Sequence, residues 1–199
     1  MEQDLKHAGI DYGARLAGTT AVAVLQDNAL QVWQSSKGED ADAWLLKLIP
    51  ELGAGTVMLD APLSLPAVYR LHPTPPEADF FYRACDREVK AMSPMFIGGF
   101  TARAIRLTAQ FASQGIRVME TYPSQLARLL FHPEEGYKNG KAPSTAFIQK
   151  LQSMLPFPIK SELLSWHQAD ALLAWYSGLR LSQGQAVQYG SAAEGLIVV

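Results

Sequence analysis

Apolar residues follow two rhythms along the chain. Residues 8–11 form a short apolar run closed by Tyr12 and Gly13, residues 19–25 are rich in β-branched side chains, and residues 30–34 alternate apolar and polar. These patterns predict three strands, the second and third joined as a hairpin through the turn at residues 26–29. From residue 41 the period lengthens. Ala41, Trp44, Leu45, Leu48, Ile49 and Leu52 fall on one helical face, and Asp40 stands where an N-cap belongs. Gly53 and Gly55 end that helix, and residues 56–60 read as a fourth strand. The order is β-β-β-α-β, an antiparallel meander followed by a crossover to a strand parallel to the first.

The next stretch carries Pro62, Pro66, Pro73, Pro75 and Pro76, so it is irregular. Helical spacing returns at about 77–91 and 101–114, and Gly115 breaks the second of these. Residues 116–120 predict a fifth strand. Helices follow from Tyr122-Pro123 to 131, after Pro143, and over 162–181. The tail, 195–199, reads as an edge strand. No internal repeat or low-complexity linker interrupts the 199 residues, so we expect one domain with a helical insertion at about 66–115.

Composition narrows the class. The chain is 48% hydrophobic and 18% charged, ordinary for a globular protein. No apolar run approaches the ~20 residues of a membrane helix. The opening MEQDLKH lacks a signal-peptide core, and the lone Cys85 reads as a small core residue; both predict a cytoplasmic protein. Net charge is −2, with residues 1–60 at −5 and the remainder at +3, an unevenness within ordinary scatter.

The candidate chemistry lies in four acids. Asp11, Asp60 and Glu120 each close an apolar strand, and carboxyl ends of parallel strands converge on the sheet edge where ligands bind. Asp170 lies within an apolar helix, flanked at helical spacing by Trp166, His167, Leu173 and Ala174. Gathered carboxylates repel, and Mg²⁺ or Mn²⁺ relieves that conflict. Two such ions about 3.5–4 Å apart would serve phosphodiester cleavage. Plainer roles exist for each: Asp11 opening a turn, Asp60 capping an Asx-turn, Glu120 pairing with Arg117 or Arg103, and Asp170 making a purely structural contact.

The residues also resemble a known family. Gly9-Ile-Asp11-Tyr-Gly13, Ala17-Gly18-Thr19-Thr20, Leu59-Asp60-Ala61-Pro62-Leu63, Arg83-Ala-Cys85-Asp86-Arg87, Glu120-Thr-Tyr122-Pro123-Ser124 and His167-Gln-Ala-Asp170-Ala171-Leu172 occur in the order seen in a poorly characterised family of RNase H-like nucleases, grouped with the RuvC-type Holliday junction resolvases. The resemblance implies an α/β fold with a mixed five-stranded sheet of order 3-2-1-4-5, helices on both faces and a helical insertion between strands 4 and 5. It implies that Asp11, Asp60 and Asp170 are catalytic metal ligands, with Glu120 as an auxiliary beside Asp60. It also implies a nucleic-acid partner, and it is compatible with a homodimer. His167 stands where resolvases often carry a further acid; it could act as a ligand or a general acid, or simply be packed. Arg83, Arg87 and Arg103 are candidates for phosphate contact, with Lys138 and Lys141 on a glycine-bearing loop as weaker ones. An Arg face paired with Asp86 and Glu88 is the plainer alternative.

Two other functions remain open at this point. One is a non-catalytic binding module on the same fold. The other is a phosphotransferase of the actin-like type, which would need a second domain or a dimer to enclose its nucleotide. The run from Gly136 to Ala142 misses a P-loop by one residue and by its hydroxyl. The four histidines lack metalloprotease spacing, and Ser64 is in no nucleophile elbow.

Overall fold

The computed structural model describes residues 6–70 and 76–199, so Pro73 and Pro75 of the expected irregular stretch lie outside the described residues. β1 (His7–Asp11) pairs antiparallel with β2 (Ala21–Gln26), which pairs antiparallel with β3 (Ala29–Gln34). The β2–β3 turn is a two-residue one, with Asp27 and Asn28 both at positive φ (49° and 58°). That is the primed turn whose twist matches a hairpin, and Asp and Asn tolerate it best after glycine. α1 (Ala41–Glu51) begins where Asp40 accepts from the Asp42 and Ala43 amides, then crosses over the sheet to β4 (Thr56–Asp60). β4 runs parallel to β1 on one side and to β5 (Arg117–Glu120) on the other. The sheet order is β3-β2-β1-β4-β5, the mixed RNase H-like arrangement.

Between β4 and β5 stand α2 (Ala84–Val89) and α3 (Gly98–Ser113). After β5 come α4 (Pro123–Leu130), α5 (Thr145–Met154) and α6 (Trp166–Ser182). The helix expected over 77–91 shrinks to α2, because the Asp79 carboxylate captures the Phe81 and Tyr82 amides and holds a turn there. The helix expected from 162 starts at 166, where Ser165 caps and Gln168 completes a capping box. The tail does form a strand, β7 (Gly195–Val198). Its partner is β6 (Gln188–Ser191), in a separate two-stranded sheet, not the edge of the main sheet. Among the described residues, no helix is long and apolar enough to cross a membrane.

Strand alternation sorts the core onto two faces. Ala8, Ile10, Val22, Val57 and Leu59 pack with Leu45 and Ile49 of α1 and Leu107 and Phe111 of α3. On the other face Ala21 and Ala23 meet α4, α5 and α6 through Leu126, Phe147, Leu172 and Trp175. α6 rests directly on β1. A Cβ on Gly9 would collide with the Trp175 amide nitrogen and the Ala171 carbonyl oxygen. Only glycine lets the helix backbone come this close to the central strand.

Candidate active site

The parallel register sets Asp11 of β1 beside Asp60 of β4. Adjacent strands stand about 4.8 Å apart. Both residues follow the parity of Gly9 and Met58, so their side chains rise on the face that α6 covers. Asp170, on the second turn of α6, reaches down to this edge and is 2% exposed. Three carboxylates that are distant in sequence therefore meet at one end of the sheet.

Each is held differently. Asp11 is 8% exposed, and its Oδ2 lies 2.7 Å from His167 Nδ1. Asp170 is fully engaged: Tyr137 donates its hydroxyl to Oδ1 at 2.7 Å, and the Lys138 ammonium lies 2.9 Å from Oδ2. No hydrogen bond or ion pair holds the Asp60 carboxylate among the described residues. It lines a cavity of about 220 Å³ whose walls include Tyr12, Met92, Phe100 and Tyr122.

The charges register on one another. Burial, then Asp11 and Asp170, push the Asp60 carboxyl well above the usual range. Burial and then Asp11 push Asp170 up to about 6, although Lys138 and Tyr137 pull it back. The hydrogen bond to Asp11 raises the His167 imidazole above its ordinary value, against the cost of burial. Burial likewise works against the Lys138 charge, but Asp170, with Asp60 and Asp11 behind it, holds the ammonium firmly protonated.

A pH dependence follows. Asp60 and Asp170 have folded-state pKa values above their unfolded ones, so their contribution to stability is complete only below the unfolded value and is lost as pH rises through the folded one. For Asp170 that window runs from the ordinary 3.8 to about 6. His167 acts in the same sense from 6.5 upward. The metal-free protein is thus expected to melt lower at about pH 8 than at about pH 5. Thermal melts in chelator check this; Asp170→Asn should flatten the profile, and a profile that rises with pH contradicts it.

The other residues singled out in the sequence are engaged differently, although Glu120 and Arg83 line the same cavity as Asp60. Glu120 is in register with Leu59, one step short of Asp60, and alternation turns it from the face that Asp11 and Asp60 share. Both its oxygens accept from Arg83, at 2.6 and 2.7 Å, and Oε2 also accepts the Leu63 amide. Arg83, expected to touch phosphate, is wholly buried. It donates to Asp86 through Nε (3.0 Å) and Nη2 (2.7 Å), and to Ser64 through Nη1 (2.9 Å), so all five of its donors are used inside the protein. Arg87 is exposed, pairs with Asp79 and lies over the Tyr82 ring. Arg103 pairs with Asp42 and donates to the Gly13 carbonyl. Lys141 is exposed. Cys85 is buried, and burial pushes its thiol up to about 12, which fits a core residue and not a nucleophile.

Sequence reasoning missed Tyr137 and gave Lys138 too little weight. Their only signal was position: a Tyr-Lys pair followed by Asn139 and bracketed by Gly136 and Gly140 in a loop.

The donors suit a hard divalent cation in kind, being carboxylate oxygens that repel one another. As placed, however, no three His, Cys, Asp or Glu side chains among the described residues stand together at metal-ligating spacing. Tyr137, Lys138 and His167 occupy oxygens an ion would otherwise claim.

No family model and no curated protein matches this chain. Among solved structures it is similar to T. thermophilus RuvC in complex with a Holliday junction substrate, at 18% identity over 92% of this chain and 97% of that one, with a TM-score of 0.48.

Proposed function

We propose that the chain is a divalent-metal-dependent nuclease whose ligands are Asp11, Asp60 and Asp170. The observation that carries this reading is the meeting of the three carboxylates. Two close adjacent parallel strands in register, and the third descends from the helix packed against them. Unrelieved, the arrangement costs the fold stability, and strained charge of this kind collects at functional sites. Bound Mg²⁺ or Mn²⁺ would supply water activation and stabilisation of the leaving oxygen in phosphodiester hydrolysis.

The chain's own residues contribute the rest. Asp11 orients His167 through Nδ1, which leaves Nε2 of this half-exposed ring to hold or pass a proton. Tyr137 fixes the rotamer of Asp170. Glu120 and Arg83 brace the segment after β4, since Glu120 also accepts the Leu63 amide. The partner is nucleic acid, DNA or RNA.

The test is a cleavage screen on single-stranded, duplex and branched DNA and on RNA with Mg²⁺ and with Mn²⁺. Metal-dependent cleavage that disappears in Asp11→Asn, with the circular dichroism unchanged, supports the reading. A chain inert on all of these substrates removes it. The engagement of Asp11 and Asp170 by His167 and Lys138 favours one second reading, a binding module that has kept the fold without the chemistry. Absence of Mg²⁺ or Mn²⁺ binding in titration would select that module.

A further inference from the structure

We propose that the insertion between β4 and β5 carries a stacking platform for unpaired bases. The exposed rings of Phe81 and Phe96 form it, and Lys90 and Arg128 beside it take the backbone phosphates of a single strand. This rests on the nucleic-acid partner proposed above, names the form of it that is bound, and uses no metal.

Three observations carry it. The first is exposed ring surface gathered in one place. Phe81 is 52% and Phe96 63% exposed, and their ring centroids stand 5.5 Å apart. The Tyr82 ring meets Phe96 edge-on at 5.8 Å and carries the Arg87 guanidinium over its own face, 3.6 Å from the ring centre. One exposed phenylalanine means little, but rings collected on one surface mark a binding face. The second is that the turn bearing Phe81 is fixed. Asp79 captures the Phe81 and Tyr82 amides, and the buried Ser93 hydroxyl donates to the Phe81 carbonyl. A ring on a fixed backbone loses little freedom on binding.

The third is charge. Arg128 donates from Nη2 to the Val89 carbonyl, which sets it beside Lys90 in the chain. Both cations are exposed, and neither has a carboxylate partner among the described residues. Arg128 also lies over the Tyr122 ring, and Tyr122 and Met92 line the cavity that holds Asp60. Residues 90–96 therefore place a cation, a wall of that cavity and an exposed ring in succession. Rings of this kind stack on the face of any free base while cations follow the phosphates; a duplex keeps its base faces within its own stack. An apolar protein partner would have to desolvate Lys90 and Arg128 without a counter-charge, whereas a strand brings a phosphate to each.

Fluorescence anisotropy of labelled oligothymidylate and of a duplex of equal length, both in chelator, tests the platform. The parent is expected to bind the single strand about tenfold more tightly than the duplex, and Phe81→Ala and Phe96→Ala each to lose about tenfold on the single strand alone. Phe96→Tyr should keep the parent's affinity. A base analogue whose emission falls on stacking should be quenched by the parent and not by Phe96→Ala. Lys90→Gln combined with Arg128→Gln should weaken binding and flatten its salt dependence. Thermal melts confirm that each variant is folded, and either alanine variant suffices should the other fail. No binding by the parent, equal affinity for strand and duplex, or unchanged affinity in the folded alanine variants overturns the inference. Self-association of the parent that Phe96→Ala abolishes, without oligonucleotide binding, overturns it in favour of an interface between copies of the chain. The cleavage reading is decided separately, by the metal-dependent screen.

Discussion

An Asp60→Asn chain is expected to melt higher than the parent in chelator and to bind no divalent ion. Asparagine has the shape of aspartate without its charge. In the parent, Asp60 faces Asp11 and Asp170 with no partner of its own among the described residues, and burial and those two neighbours together disfavour its ionised form. The amide removes that repulsion and offers N–H donors to the neighbouring carboxylates. Relief of one such conflict is worth about 1 kcal/mol, the usual scale for repairing a site tuned for function over stability. In a chain of this size that moves Tm by about 2–4 °C. Scanning calorimetry in chelator reads the gain, and Mn²⁺ titration reads the loss. A lower melting temperature in chelator would mean that Asp60 has a stabilising partner after all and would contradict the electrostatic account.

The opposite outcome is expected at Arg83. Arg83→Met should destabilise the fold by about 3–5 kcal/mol, because it strands two buried carboxylates that now share one guanidinium. Asp86 is 1% and Glu120 6% exposed, so water cannot substitute for the lost donors. Arg83→Lys should recover little. An ammonium cannot serve Asp86, Glu120 and Ser64 at once in the way the planar fork does. Urea denaturation measures both variants; a loss below about 1 kcal/mol for Arg83→Met would show the network to be dispensable.

These two positions mark what could be read from sequence and what could not. The strands were legible because alternation and β-branching are local signals, and Asp27-Asn28 announced its hairpin turn. Asp11 and Asp60 were legible for the same reason: each is the polar full stop on an apolar strand, and parallel pairing brings such ends together. Glu120 carries that same local signal, yet register shifts it by one residue and so onto the opposite face, which no local pattern encodes. Arg83 looked like a surface cation because its partner Glu120 lies far along the chain. The helix expected over 77–91 failed where one side chain, Asp79, outbid the backbone's own pairing. Gln188–Ser191 has too few apolar residues to announce a strand; pairing with Gly195–Val198 makes it one. Tyr137 and Lys138 sit in a loop whose course is set by tertiary contacts, and a loop gives no period to read.

The close seating of α6 on Gly9 also bears on when the three carboxylates come together. Asp11 and Asp60 leave the ribosome early, but the carboxylate that completes their group is carried by the helix that must lie against the first strand. A nascent chain therefore carries Asp11 and Asp60 without Asp170 beside them until residues beyond 170 have emerged and docked. On the proposed function, the nucleic acids of the translation machinery would be spared during synthesis by chain order alone, without an inhibitor.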